Sequence, residues 1–125
     1  MAVVGALARP TILSLPGYTP RVTAPLRPRQ RSHLKALAHA LEPVVQIGVD
    51  GLSDGVARAV AIALEDHELI KVRLGQGFEG DRHEAASALG RAVDAAVVQV
   101  IGRVIVLYRR RARDLPERPR IELPA

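Results

Sequence analysis

The sequence contains no cysteine and very few aromatic side chains. Without cysteine, the chain has no disulfide, no thiolate metal ligand and no cysteine nucleophile. Tryptophan is absent, and the other aromatic residues are Tyr18, Phe78 and Tyr108. Aliphatic residues must therefore form the core, and a sheet face carrying several rings on which nucleobases could stack is excluded.

Long apolar runs are missing as well. No run approaches the roughly 20 residues that are needed to cross a bilayer. The mildly apolar N-terminus has no basic stretch before it, and Arg9 and Pro10 interrupt it, which argues against a signal peptide. We therefore expect a cytoplasmic protein that has no membrane partner.

Charge is present but is distributed unevenly along the chain. Residues 1–42 carry a net charge of +5, residues 43–108 carry −3, and residues 109–125 carry +3. Basic ends on a small domain indicate a polyanionic partner, usually nucleic acid. The alternative is that the arginine-rich ends only keep the chain soluble.

Proline content and apolar periodicity divide the chain. Residues 1–25 contain four prolines and no apolar period, so they are predicted to form a disordered leader. Helical and strand patterns then alternate up to Arg109. Residues 110–125 show no periodicity and are interpreted as an extended, basic C-terminal tail.

The first helix is predicted over residues 28–41 and ends before Pro43. One face is apolar, because four residues recur at helical spacing: Leu34, Leu37, Ala38 and Leu41. A neighbouring face is basic and carries Arg31, Lys35 and His39.

Six further elements follow the first helix. They are a strand at 44–47, a helix from the Ser53 cap to about residue 66, a strand at 69–74, a helix opened by Asp81, and strands at 96–101 and 104–109 joined by a two-residue turn. The predicted inner faces are Val56, Val60, Ala63 and Leu64 in the second helix and Ala85, Leu89, Ala92 and Val93 in the third. The order α-β-α-β-α-β-β predicts an α/β fold of two layers, in which a mixed four-stranded sheet packs with three helices.

The Gly48-Val49-Asp50-Gly51 loop lies after a strand and before a helix. Two glycines allow a sharp turn, and the amide groups and helix dipole beyond them attract anions. KH domains hold a nucleotide backbone with a GxxG loop of this kind. The alternative is an ordinary strand-to-helix turn that requires glycine geometry.

Other patterns do not indicate catalysis. Residues 75–80 match a dinucleotide-binding glycine pattern, but Glu79 lies within the loop and would repel a pyrophosphate. The histidines lack metal-binding spacing. Glu65, Asp66 and Glu68 are interpreted as a solvated helix end. We expect no enzyme activity, no cofactor and no metal.

Four stretches of the sequence, in this order, resemble the CRM domain (chloroplast RNA splicing and ribosome maturation), in particular its stand-alone bacterial type, the YhbY-like proteins. They are QRSHLKALAH at 30–39 with PVVQIG at 43–48, GLSD at 51–54, ALEDHELIKV at 63–72, and VQVIGRVIVLYR at 98–109. The resemblance covers residues 26–109, with a weaker echo at 121–124.

The resemblance implies a fold like the C-terminal domain of translation initiation factor three. It also implies RNA binding, with rRNA of the large ribosomal subunit precursor as the partner and the GxxG loop as the functional loop. We expect the protein to be a monomer. Ribosomal proteins are further candidate partners. The alternative is a protein-interaction adaptor on the ribosome that does not touch RNA.

The expected RNA-binding residues lie in the loop, the first helix and the C-terminal arginine run. They are Gly48, Val49, Asp50, Gly51, Arg29, Arg31, Lys35, His39, Arg109, Arg110 and Arg111. Two residues depart from the family pattern. Asp50 places a carboxylate where polar or basic residues are usual, which opposes phosphate binding, and Asp94 stands where a glycine commonly ends the third helix.

Overall fold

A computed structural model of the protein describes residues 25–111 and 121–124. The predicted leader, apart from Pro25, and most of the predicted tail lie outside the described residues. The described part forms three helices and four strands in the predicted order. They are α1 (Pro28–Ala38), β1 (Pro43–Ile47), α2 (Asp54–His67), β2 (Leu69–Leu74), α3 (Arg82–Val93), β3 (Ala96–Ile101) and β4 (Val104–Tyr108).

The strands form one mixed sheet in the order β1-β2-β4-β3. β1 and β2 are parallel and are joined by α2, as the sequence predicts. α3 carries the chain from β2 to the far edge, where β3 begins. β4 then returns between β2 and β3 and is antiparallel to both. The edges of the sheet are therefore β1 and β3.

Helices cover both faces of this sheet, which differs from the predicted two-layer arrangement. α2 and α3 pack on the face that contains Ile105 and Leu107. α1 packs on the opposite face, against Val106 and Tyr108. Because consecutive residues of β4 point to opposite faces and all are apolar, both faces need a cover.

The helices bury their predicted faces to different degrees. In α3, all four predicted inner residues are buried. In α2, Val60 and Leu64 are buried as predicted, whereas Ala57 and Ala61 are buried in place of Val56 and Ala63, which are only partly buried. Ser53 and Asp81 cap these helices, since their side chains accept from the amides of Val56 and Glu84 at 3.2 and 2.8 Å.

α1 is shorter than predicted and only half of its apolar stripe is buried. It ends at Ala38 rather than residue 41, and Leu34 and Ala38 are its buried residues. Leu37 and Leu41 are 41% and 38% exposed. They line an apolar cleft of about 440 Å³ beside the edge strand β1.

Candidate nucleic-acid interface

The Gly48–Gly51 loop is a turn closed by a 3.0 Å hydrogen bond from the Gly51 amide to the Gly48 carbonyl. Gly51 has a φ of +69°, which favours glycine at this position. Val49 is 79% exposed and Asp50 is also exposed. The loop therefore presents an open backbone with one apolar and one acidic side chain at its tip.

The N-terminus of α2 is a weaker anion-binding site than the sequence pattern indicates. Ser53 already accepts from the Val56 amide, which removes one of the free donors. Asp54 adds a carboxylate to the first turn, and its negative charge already offsets the positive end of the helix dipole. With Asp50 on the loop, this end of the molecule needs cations from elsewhere to attract a phosphate.

α1 divides the predicted basic residues into two groups. Arg29, Lys35 and His39 are exposed. Arg31 is half-buried, and its Nη1 donates to the carbonyl oxygens of Val97 and Val98 at 2.6 and 2.8 Å. Arg31 therefore anchors α1 to β3, and the remaining three side chains face solvent.

The structure buries two of the C-terminal arginines that the sequence predicts as RNA-binding residues. Arg109 is 1% exposed and donates to the carbonyl of Val93 at 2.8 Å and to Glu65 at 2.9 Å. Arg111 is also buried and donates to the carbonyls of Glu65 and Asp66, both at 2.7 Å. Both guanidinium groups satisfy polar atoms at the end of α2, so we leave them out of the candidate surface.

The acidic group at the end of α2 is likewise different from the predicted solvated cluster. Glu65 is paired with Arg109, and Glu68 is 1% exposed. Only the exposed Arg110 remains from the C-terminal run as a candidate for RNA contact.

The expected RNA-binding residues did not include two cations on the sheet, although the alternation of β2 predicts both on one face. Lys71 and Arg73 are two residues apart in β2, so both point to the same face of the sheet, the one that α1 covers. Lys71 donates to the carbonyl of Leu41 at 3.0 Å, so it lies beside the end of α1. Arg73 is exposed and makes no hydrogen bond or ion pair within the described part of the chain. The period-2 pattern of this strand was the signal that could have identified them.

Arg73 lies next to the loop. It pairs in register with Gln46 of β1, two residues before Gly48. The buried residues of α1 pack further along the same face, against Leu69 and Tyr108, which leaves the part nearest the loop open. The loop backbone, Gln46 and the Arg73 guanidinium, which has no partner in the part of the chain that the structure describes, therefore lie at one end of the sheet.

The other side of the loop is acidic. A groove of about 730 Å³ separates the loop from α3. Its walls include one arginine, Arg91, and four carboxylates, those of Asp50, Glu79, Asp81 and Glu84. A phosphate backbone would be repelled there, so the loop is accessible to a polyanion from the sheet side only.

The described residues lack both a cluster of metal ligands and a membrane-spanning helix. They contain no group of three or more His, Cys, Asp or Glu side chains that could hold a metal ion. None of their helices is long and apolar enough to cross a membrane.

Comparisons with known proteins agree with this architecture. The chain is 40% identical to YqeI of Bacillus subtilis over 96 residues, which cover 77% of this chain and 96% of that protein. It is also 40% identical to a protein of Haemophilus influenzae over 99 residues, covering 79% and 95% of the two chains. The first is named "Probable RNA-binding protein" and the second "RNA-binding protein".

The fold is also present in a solved structure. The solution structure of SAV1595 from Staphylococcus aureus matches with a TM-score of 0.65 and 38% identity, over 79% of this chain and 99% of that one. The family model described as the CRS1 / YhbY (CRM) domain matches residues 26–109, the range that the sequence resemblance predicts, and this domain is non-catalytic. The chain therefore belongs to the CRS1/YhbY (CRM) domain family.

Proposed function

We propose that the protein binds RNA through the sheet-side surface of the Gly48–Gly51 loop. This surface comprises the loop backbone, Arg73 and the exposed cations of α1, Arg29, Lys35 and His39. The names of the relatives support RNA binding. The observation that carries the proposal is Arg73 beside the loop, whose exposed guanidinium has no partner among the described residues, because a guanidinium in such a position suits a phosphate group.

Recognition of the RNA backbone follows from the composition of this surface. The aromatic residues of the described part are Phe78 and Tyr108, and Tyr108 is buried. Base stacking therefore contributes little, and Arg, Lys and amide N–H groups supply the contacts. Such contacts favour RNA shape over base sequence.

The target we propose is rRNA in precursors of the large ribosomal subunit, which makes the protein a cytoplasmic ribosome assembly factor. Crosslinking in growing cells, followed by sequencing of the attached RNA, tests this target. We expect enrichment of large-subunit rRNA over its share of total RNA. Enrichment confined to mRNA or tRNA would contradict the rRNA target but would leave RNA binding intact.

The adaptor alternative is favoured by one specific feature, the apolar cleft formed by Leu37, Leu41 and Val44. Val44 is half exposed on the edge strand β1, and exposed apolar patches can mark protein contacts. A pull-down from nuclease-treated lysate separates the two functions. Ribosomal proteins that remain bound after RNA digestion would favour the adaptor.

A further inference from the structure

Glu68 is a buried acidic residue that the proposed RNA surface does not use. It connects α2 to β2, and its side chain is 1% exposed. Its φ is +64°, a left-handed conformation that residues other than glycine seldom adopt. Burying a carboxylate in a strained position is unfavourable unless hydrogen bonds compensate for it.

Those hydrogen bonds come from the C-terminal part of the chain. Glu68 Oε2 accepts from the backbone amide of Arg111 at 2.5 Å, and Oε1 accepts from the amide of Ile121 at 2.7 Å. The backbone of Glu68 also donates to the Leu64 carbonyl and accepts from the Arg109 amide. One residue thus joins α2, the end of β4 and the chain at Ile121.

Residues 121–124, which we call the C-terminal strap, lie against α1. Ile121 and Leu123 pack on the cluster that contains Leu34 and Ala38, the buried residues of α1. Gln30 of α1 also donates to the carbonyl of Pro124 at 3.1 Å. Since α1 buries so little of its own surface, the strap is a substantial part of what holds this helix on the sheet.

We propose that Glu68 is a positioning residue for RNA binding, which acts by fastening the strap that fixes α1. This inference rests on the proposed function, because α1 carries Arg29, Lys35 and His39 of the RNA surface. It also makes the strap part of the folded domain, although the sequence predicts an extended tail there.

We call the two hydrogen bonds from the Arg111 and Ile121 amides to the Glu68 carboxylate the clasp. Hydrogen exchange of the Ile121 amide tests the clasp without RNA. In Glu68→Gln, one of the two acceptor oxygens is replaced by an NH2 group. We expect Ile121 protection to fall by about 10- to 100-fold, as for loss of a buried charged hydrogen bond, while β4 amides keep most of theirs. Glu84→Gln, at an exposed glutamate of α3, is the matched control and should change neither the protection of Ile121 nor that of the β4 amides. An unprotected Ile121 amide in the wild type, or unchanged protection in Glu68→Gln, would overturn the clasp.

A second pair of variants isolates the same bond if Glu68→Gln alters global stability. Ile121→Pro removes the donor N–H, and Ile121→Ala keeps it while shortening the side chain. We expect Glu68→Gln to lower the melting temperature less in the Ile121→Pro background than in the Ile121→Ala background. Equal lowering in both backgrounds would show that the two groups are not coupled.

RNA affinity tests the positioning role, and the sign of the change is diagnostic. Glu68→Gln raises the net charge by one, which by itself strengthens binding to RNA. A misplaced α1 instead weakens binding, so we expect a several-fold loss for a structured large-subunit rRNA fragment. Equal or tighter binding would refute the positioning role. If the wild type does not bind RNA, the proposed function fails, and the exchange measurement still decides whether the clasp exists.

Discussion

At the scale of single residues, the number of arginines does not reveal which of them face solvent. Arg109 and Arg111 belong to an arginine-rich run but point inward, because Glu65 and carbonyl groups at the ends of α2 and α3 accept their hydrogen bonds. The acceptors in α2 are more than 40 residues away in sequence and the Val93 carbonyl is 16 residues away, so no local pattern indicates them. Arg73 is the opposite case, since strand alternation alone predicts its exposed side.

Replacing Arg73 tests the centre of the proposed RNA surface. We expect Arg73→Glu to weaken rRNA binding by about tenfold and to reduce the salt dependence, because a phosphate contact is replaced by repulsion. Arg58→Glu is the matched control, since Arg58 is exposed on α2, across the sheet. Fluorescence anisotropy titrations at several salt concentrations measure both effects. Equal losses in the two variants would mean that Arg73 acts only through net charge.

Asp50 is expected to oppose the function of its own loop. In Asp50→Lys the loop tip gains a cation next to the open backbone, so RNA affinity should rise several-fold. Glu84→Lys makes the same charge change on the far wall of the acidic groove and should raise affinity less. Competition binding against a common labelled RNA compares the two variants directly. A greater gain for Glu84→Lys would show that RNA enters the groove side instead.

At the scale of elements, periodicity predicts a helix better than it predicts which side is buried. The four predicted inner residues of α3 are all buried, because this helix packs against β3, β4 and α2. In α1 the same spacing overstates burial, since the chain turns at Ala38 and Leu37 and Leu41 stay outside. The end of a helix depends on what it packs against, and that is a long-range property.

Gly90 of α3 shows how packing can reverse a propensity argument. Glycine within a helix normally costs stability relative to alanine. A Cβ at Gly90, however, would lie 3.0 Å from the Ala95 carbonyl oxygen and 3.1 Å from Val97 Cγ2. The Ala95 amide is hydrogen-bonded to the Gly90 carbonyl, so this backbone cannot easily move away.

We therefore expect Gly90→Ala to reduce the free energy of unfolding by about 1–2 kcal/mol instead of raising it. Ser87→Ala, at an exposed position of the same helix, should leave it unchanged or raise it by a few tenths of a kcal/mol. Urea unfolding monitored by circular dichroism measures both. A stabilised Gly90→Ala variant would show that β3 shifts to accommodate the methyl group.

At the scale of the whole molecule, the element order and mixed sheet could be predicted, and the layering could not. The alternation of helical and strand patterns is local, whereas the covering of both faces depends on where α1 returns to the sheet. The candidate surface shows the same limit. The loop and the cations of α1 come from local patterns, but Arg73 joins them only through the pairing of β1 with β2.

The salt dependence of binding is a property of the complete surface. With about three to four phosphate contacts, the logarithm of the association constant should fall with the logarithm of salt concentration with a slope of about −2 to −3. Between 50 and 200 mM salt this amounts to about a 15- to 60-fold loss of affinity. Titrations over that range measure the slope. Affinity that does not change with salt would rule out recognition through phosphate groups.

The acidic groove beside the loop has a kinetic consequence. Carboxylates on one side of Gly48–Gly51 and cations on the other give this end of the protein an electric dipole. In the field of a polyanion such a dipole exerts a torque before contact is made, which turns the basic side forward. A larger share of diffusional encounters then begins in a productive orientation, so the residues that repel RNA can still speed its capture.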